Sequence, residues 1–482
     1  MIHLLTNNQG SKISKYIYGQ FSEHLGTGIY GGIYVGKDSA IENVNGMRSD
    51  VVNALKDIHI PVLRWPGGLF ADTYHWRQGI GPQDQRQLIV NTNWGDVVEN
   101  NHFGTHEYFE LLRQLGSDAY INANVGSGTV QEMAEWVEYI TRSGKSPMSD
   151  LRQKNGQKEP WPLKFFGIGN ESWGGGGHMR PEYYADVYRQ YECFLPQNDK
   201  DHPIYRSACG PNVDDYDWTD KVMKYAHEYM DGISLHYYTL PTGDWHHKGS
   251  SMNFPEDQWQ SVIDKAKYMD ELLTRHSTIM DKYDPEKKVN LNVDEWGTWY
   301  DSEPGTHPGF LQQQNTIRDA MVAAINFNIF HKHADRVKLT CIAQTVNVLQ
   351  AMLLTKDSQM VKTPTYYVFD LYKNHMDANV VPGIGTISED LTYTASTKND
   401  QLTISVANTS VHESQEVSFK PDTTYAKVVS SKAVVGTKMD EHNSFDNPDE
   451  VQELAFKDVS VDPSGVIKYQ LPPMSVVTTI FK

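Results

Sequence analysis

Short apolar segments alternate with amphipathic helical segments up to about residue 376, and this alternation constrains the fold more than any other feature. A segment such as 165–168 (Phe-Phe-Gly-Ile) has no polar face, which is typical of a short strand buried on both sides. Eight such strands, each followed by a helix, predict an α/β fold of the (β/α)8 type, a TIM barrel. The predicted strands are 16–21, 62–65, 119–125, 165–168, 204–208, 233–237, 289–293 and 338–344. The predicted helices are 50–58, 106–115, 131–142, 181–194, 218–230, 257–283, 315–333 and 363–375.

The pattern changes after residue 376, where apolar and polar residues alternate at period two between Asn, Asp, Gly and Pro. This alternation predicts an antiparallel, jelly-roll-like β-sandwich. We therefore expect a barrel domain over 15–376, a sandwich domain over 377–482, and a strand within 1–14 that joins the sandwich. The predicted sandwich strands are 391–395, 401–407, 416–419, 426–431, 466–471 and 475–481.

Charge and composition exclude several partners. The chain has 43 basic and 61 acidic residues, a formal net charge of −18. Nucleic acids and anionic membranes need a basic face, so we expect neither as a partner. Residues 1–10 lack the charge and apolar core of a secretory signal, and no apolar run approaches the ~20 residues of a membrane span. The three cysteines lack metal-site spacing, and we expect them reduced, in a cytoplasmic protein.

Polar and aromatic residues follow nearly every predicted barrel strand. In a TIM barrel these strand ends share one rim, where catalytic residues lie. Glu171 follows the fourth strand and Glu295 ends the seventh, so the two carboxylates are expected to face each other across the barrel mouth. A pair of carboxylates flanking a glycosidic bond performs glycoside hydrolysis, one as proton donor and one ionised.

Other chemistries have weaker support. No Walker-type loop is present, and no G-x-G-x-x-G follows the first strand. The glycines at 174–177 predict a flexible loop that leaves space at the end of the fourth strand, rather than a phosphate-binding loop. We expect no metal and no cofactor, because the rim offers carboxylates, amides and aromatic rings rather than a set of metal ligands.

Several motifs together resemble glycoside hydrolase family 51, whose members are mostly α-L-arabinofuranosidases with a retaining mechanism. The resemblance runs in order from about residue 18 to residue 364. It rests on Gly19-Gln-Phe-Ser-Glu-His-Leu-Gly26, Ile29-Tyr-Gly-Gly-Ile33, Arg64-Trp-Pro-Gly-Gly68, Tyr74-His-Trp76, Gly79-Ile-Gly-Pro82, Gly169-Asn-Glu171 and Asp294-Glu-Trp296.

The resemblance implies a role for each matching position. Glu171 is similar to the family's general acid/base, and Glu295 to its nucleophile. Arg64 and His236 resemble residues that orient the nucleophile, and Trp94 resembles a wall on the leaving-group side. Residues that resemble those that hydrogen-bond the sugar ring are Glu23, Asn170, Tyr238 and Gln350. From its sequence alone, Glu23 is also compatible with an ion pair to Arg64 or His24.

One position departs from the family pattern. Leu69 stands where many relatives have cysteine, and we expect it in the sugar pocket, with loss of a polar contact and a shift in specificity. The same machinery with β-xylosidase or endo-glucanase specificity therefore stays open, as does a non-catalytic carbohydrate-binding barrel. The resemblance also implies a homo-oligomer, often a hexamer. A retaining mechanism predicts carboxyl groups about 5–5.5 Å apart.

Overall fold

The eight predicted barrel strands are all present in the computed structural model, which describes residues 1–482. They form one closed parallel barrel, in which the eighth strand pairs with the first. The fourth strand is buried at every position, as its apolar sequence requires. The strands are Gly19–Phe21, Val62–Trp65, Asp118–Ala123, Phe165–Ile168, Tyr205–Ala208, Gly232–Thr239, Asn290–Thr298 and Val337–Ala343.

The first strand is shorter than expected. Lys15–Tyr18 form a 3-10 helix instead, because the Ser14 hydroxyl accepts a hydrogen bond from the Tyr16 N–H and caps this turn. Only Gly19–Phe21 joins the barrel.

Helices surround the barrel, and the predicted helices are present with ends shifted by a few residues. Pro147–Lys154 is an additional helix, capped by Ser146 with proline at its first position. None of the helices combines the length and the apolar character needed to cross a membrane. They are Ser49–Asp57, Thr105–Leu115, Val130–Thr141, Pro147–Lys154, Pro181–Cys193, Tyr216–Ala226, Glu256–Met280, Ile317–Lys332 and Pro364–Tyr372.

The C-terminal part is a sandwich of two sheets with its own apolar core. Ile2–Leu4 pairs in parallel with Gln415–Pro421, which is an exception to the antiparallel pattern. The division of the chain near residue 376 stays a prediction. One sheet contains Gly383–Ile384, Ile2–Leu4, Gln415–Pro421, Ile467–Leu471 and Val459–Val461. The other contains Asn379–Val380, Leu391–Lys398, Gln401–Asn408, Ser475–Phe481, Val428–Val435 and Leu454–Ala455.

The second of these sheets packs against the last two barrel helices. Ala407, Val434 and Val476 belong to the same continuous apolar core as Ile317 and Phe369. The sandwich therefore packs against the side of the barrel.

Candidate active site

A cavity of about 50 Å³ lies at the carboxyl ends of the barrel strands. Two wider cavities lie near Trp161, and both are lined by Asp118, the first residue of the third strand. They therefore open at the amino ends of the strands, where TIM barrels do not carry out catalysis. The rim cavity is lined by Glu23, Leu25, Gly68, Leu69, Trp94, Glu171, Tyr238, Glu295, Trp299, Leu311, Gln344 and Leu349.

Glu171 and Glu295 face each other in this cavity. One carboxylate oxygen of each residue and a ring nitrogen of His236 all lie within 4.8 Å of one another. Glu295 is buried, and the Glu171 side chain is 19% exposed. The short separation leaves no room for a water molecule between an attacked sugar carbon and Glu295, as retaining glycosidases require.

Glu295 is held by two donors. Arg64 Nη1 donates to its Oε1 over 2.8 Å, and the Tyr238 hydroxyl donates to its Oε2 over 2.7 Å. Arg64 also donates to Asn170 Oδ1 over 2.6 Å. Arg64 and Tyr238 therefore fix the orientation of the Glu295 carboxyl group in the cavity.

Glu171 is held by His236, whose Nδ1 lies 2.8 Å from Glu171 Oε1. The same nitrogen lies 3.6 Å from Glu295 Oε2, so His236 contacts Glu171 more closely than the residue that it was expected to orient. Burial raises the pKa of Glu171, and the negative charge of Glu295 adds to this effect, whereas the hydrogen bond with His236 opposes it. Together these effects leave the pKa of Glu171 above its usual value.

Asp294, which sequence reasoning did not select, completes the arrangement behind the two glutamates. It accepts hydrogen bonds from His236 Nε2 at 3.1 Å and from the Tyr120 hydroxyl at 2.5 Å. Burial works against its charge, but Arg64, His236 and Tyr120 hold the pKa of Asp294 below its usual value. Burial likewise opposes protonation of His236, but the charge of Glu295 and the hydrogen bonds with Asp294 and Glu171 raise its pKa to about 10.

The charge of His236 also bears on metal binding. Glu171, His236 and Glu295 have the residue types of a metal site. At neutral pH, however, an imidazole with a pKa of about 10 holds both protons and has no lone pair for a metal. Arg64 supplies a second positive charge beside Glu295. The cationic side chains of His236 and Arg64 therefore already lie beside the glutamates where a metal cation would have to bind.

Glu23 also lines the cavity, outside the group formed by Glu171, His236 and Glu295. It accepts hydrogen bonds from the Phe70 N–H at 3.0 Å and from Gln344 Nε2 at 3.1 Å. Burial, and then the charge of Glu295, raise the pKa of Glu23 to about 7. A Cβ atom at Gly68 would lie 2.5 Å from Glu23 Oε1, so only glycine leaves room for this carboxyl group. Glu23 forms no ion pair with Arg64 or His24.

Two residues predicted to contact the sugar, Asn170 and Gln350, do not line the cavity. Asn170 keeps a buried amide nitrogen without a partner, whereas Gln350 is fully paired inside the protein. Its amide is buried, accepts from the Thr298 N–H, and donates to the Asp319 carbonyl and the Thr365 hydroxyl. These contacts use the amide inside the protein, so the structure gives no support to the predicted contact between Gln350 and the sugar, which stays a prediction. Gln344, at the end of the eighth strand, lines the cavity instead.

The glycines after Glu171 form a tight turn, not the flexible loop that was expected. The Glu171 carbonyl accepts hydrogen bonds from the N–H groups of Gly174 and Gly176, at 2.8 and 3.1 Å. A Cβ atom at Gly175 would lie 2.5 Å from Leu69 Cδ2. The turn therefore packs directly on Leu69, which lines the cavity as expected.

Glu171 itself has a left-handed backbone, with φ of +43°. A non-glycine residue in this conformation costs on the order of 1–3 kcal/mol and needs support from its surroundings. The glycine turn bonds to its carbonyl, and the following N–H, of Ser172, donates to the buried Cys209 Sγ over 3.3 Å. These contacts fix the direction in which the Glu171 side chain enters the cavity.

Comparison with known proteins identifies relatives along most of the chain. The family profiles described as Alpha-L-arabinofuranosidase 1 domain and Alpha-L-arabinofuranosidase C-terminal domain match residues 54–253 and 294–475. The chain is 49% identical to an intracellular exo-alpha-L-arabinofuranosidase of Bacteroides ovatus, over 98% of this chain and 93% of the relative. It is 32% identical to alpha-L-arabinofuranosidase C of Emericella nidulans, over 76% of this chain and 72% of the relative.

Solved structures extend the likeness to the whole fold. The GH51 arabinofuranosidase of Xanthomonas axonopodis pv. citri superposes with a TM-score of 0.97 at 45% identity, covering 100% of this chain and 99% of that one. The α-L-arabinofuranosidase of Thermotoga maritima, solved with arabinose, gives 0.88 at 29% identity, covering 99% of each chain. The chain therefore belongs to glycoside hydrolase family 51, the family of the α-L-arabinofuranosidases.

Proposed function

We propose that the protein is a retaining exo-glycosidase that removes terminal, non-reducing α-L-arabinofuranosyl units from arabinan or arabinoxylan oligosaccharides. The observation that carries the proposal is the pairing of Glu171 and Glu295 within 4.8 Å in one small cavity. Membership of the family supports the choice of sugar. The small cavity ends at the barrel interior, so it can accept a terminal sugar unit but not the middle of a polysaccharide, which supports exo action.

Glu295 is the proposed nucleophile because Arg64 and Tyr238 both donate hydrogen bonds to it. Its carboxylate attacks the anomeric carbon and forms a covalent ester with the sugar. Glu171, whose pKa is raised by burial, gives its proton to the departing glycosidic oxygen as the bond breaks. In the second step Glu171 takes a proton from water, the water oxygen attacks the anomeric carbon, and the ester bond to Glu295 breaks.

The sugar is bound by groups that surround these two residues. Asn170 Nδ2 is buried and has no partner in the protein, so it is free to donate to a sugar hydroxyl. Glu23 and Gln344, which also line the cavity, offer an acceptor and a donor. Trp94 lines the leaving-group side, and Leu69 replaces a polar contact with an apolar one.

A panel of aryl glycosides tests this proposal. We expect turnover of an aryl α-L-arabinofuranoside and far slower turnover of the β-xyloside and β-glucoside; preference for either of these would contradict the sugar assignment. Glu171→Ala should regain activity with azide or with a good leaving group, whereas Glu295→Ala should not. The reverse pattern would exchange the two roles. A folded protein that turns over none of the substrates would be a carbohydrate-binding barrel.

The proposals for cellular location and oligomeric state rest on similarity to other proteins alone. We propose that the protein works in the cytoplasm, because the Bacteroides ovatus relative is named intracellular. We also propose a homo-oligomer, with a hexamer as the form that the family resemblance implies. Light scattering coupled to size-exclusion chromatography measures the assembly directly, and a monomer at micromolar concentration would contradict it.

A further inference from the structure

Three aromatic side chains form a continuous series from the buried nucleophile to the protein surface. Tyr238 donates to Glu295 and packs edge-on against Trp299, with ring centroids 4.9 Å apart. Trp299 in turn packs edge-on against Trp245 at 5.2 Å. Trp299 lines the cavity, whereas Trp245 is 44% exposed and lies outside it. The series therefore leads out of the cavity mouth.

Trp245 is held in place although it lies on a surface loop. The loop connects the sixth strand to the helix Glu256–Met280. Lys248 Nζ donates to the Trp245 carbonyl over 2.7 Å, and the Lys248 N–H donates to Asp301 Oδ1 over 3.1 Å. Because Asp301 follows the seventh strand, this contact ties the loop to the strand that carries Glu295.

Lys248 also lies close to both indole rings. Its Nζ lies 5.9 Å from the Trp245 centroid and 5.7 Å from the Trp299 centroid, within cation–π range of both. The ammonium group thus polarises the two rings from one side, while almost half of the Trp245 side chain stays open to solvent. A single exposed tryptophan needs no explanation, but one that continues a series from the nucleophile is placed for a ligand.

We propose that Trp245 is an outer leaving-group subsite, which stacks on the second sugar ring beyond the cleaved bond. The ligand class is a neutral oligosaccharide, since the apolar C–H face of a sugar ring suits the negative face of an indole. In this arrangement the first leaving-side sugar lies at Trp299 and the next lies against Trp245. This inference rests on the proposed function, because it assigns the cavity to the cleaved arabinofuranosyl unit.

The test compares a short and a long substrate. Arabinobiose has one leaving-side sugar and ends at Trp299, whereas arabinotetraose has three and covers Trp245. We expect Trp245→Ala to lower the ratio of kcat/KM for arabinotetraose to kcat/KM for arabinobiose by about two- to twelvefold, the range of one aromatic stacking contact. Trp245→Phe, which keeps a smaller ring, should lower the ratio by less.

Tyr225→Ala is the matched control. Tyr225 is 40% exposed and has Lys224 Nζ 5.0 Å from its ring centroid, so it repeats the environment of Trp245 away from the cavity. We expect this variant to leave the ratio unchanged. Size-exclusion chromatography of both variants shows whether either substitution changes assembly.

The outcomes are distinct. An unchanged ratio in Trp245→Ala overturns the subsite, and so does an equal loss on both substrates, which would indicate a structural role or a subunit contact. Hydrolysis of arabinobiose by the unmodified protein tests the proposed function alone, because this substrate does not reach Trp245. Failure of the subsite therefore differs from failure of the proposed function.

Discussion

The contact between His236 and Glu171 makes a quantitative prediction for the pH dependence of catalysis. His236→Asn removes a charged donor that lies 2.8 Å from Glu171 Oε1. A buried hydrogen bond to a charged group contributes about 1.5–3 kcal/mol, and one pKa unit corresponds to about 1.4 kcal/mol. Since His236 lowers the pKa of Glu171 by both its hydrogen bond and its charge, the substitution should raise that pKa by about one to two units.

The sign of the effect on activity follows from the role of Glu171. As the proposed acid it must be protonated, so kcat/KM falls as pH rises through its pKa. The alkaline limb of the profile should therefore move to higher pH in His236→Asn, measured from pH 4 to pH 10 with arabinobiose, whose sugar leaving group needs the proton. A limb that stays in place, or moves to lower pH, would refute the reasoning. Disappearance of the limb would assign it to His236 itself and would also refute it.

A buried histidine outside the site supplies the control. His276 bonds to the Thr219 hydroxyl at 2.8 Å and to the Val213 carbonyl at 2.7 Å. Burial lowers its pKa to about 4, so it is neutral where the enzyme works. We expect His276→Asn to lower the melting temperature and to leave the pH profile in place.

Three further predictions concern stability and pocket shape. Arg64→Met leaves Glu295 buried without its cation and should lower the free energy of unfolding by about 3–5 kcal/mol in urea titration; a loss below ~1 kcal/mol would contradict the pairing. Gly175→Ala should lower kcat/KM because its Cβ meets Leu69, and Leu69→Ala should restore part of the loss; additive losses would contradict this contact. Burial lowers the pKa of His375 to about 3, so the unfolded chain binds a proton that the folded chain does not between pH 6.5 and 3. The free energy of unfolding should therefore decrease as pH is lowered from 6.5 to 3, by up to about 1.4 kcal/mol per pH unit from this group. His375→Gln should make this decrease smaller, and an unchanged slope would contradict the prediction.

Much of the barrel was predictable from sequence because short, largely apolar runs alternate with amphipathic helical segments. The burial of all four residues of Phe165–Ile168 is the direct structural counterpart of that pattern. The first strand was less predictable, since Tyr16 and Tyr18 read equally well as strand residues. The local hydrogen bond to Ser14 decides in favour of a 3-10 turn, and such a bond has no periodic signature.

Glu171 and Glu295 were predictable from their positions at strand ends, but Asp294 was not. Adjacent residues in a regular strand point to opposite faces, so Asp294 and Glu295 should not both contact Arg64. They do so because the pairing register shifts in this part of the seventh strand, between Val293 and Trp296. A β-bulge of this kind depends on both neighbouring strands and cannot be read from one of them.

The structure places Gln344, and not the predicted Gln350, in the cavity for a similar reason. Both glutamines follow the eighth strand, and the chain reverses between them through left-handed residues at Asn347 and Leu349. Which amide enters the cavity is set by that reversal rather than by any local motif. The packing of Gly175 on Leu69 could not be predicted from a local motif either, because it joins segments about a hundred residues apart.

The stereochemistry of hydrolysis tests the central claim most directly. Proton NMR of a reaction with an aryl α-L-arabinofuranoside, recorded within the first minutes, identifies the anomer that forms before the sugar equilibrates in water. The paired arrangement of Glu171 and Glu295 predicts α-L-arabinofuranose as the first product, because two successive displacements retain configuration. If the β-anomer forms first, a single displacement by water has occurred, and Glu295 is not the nucleophile.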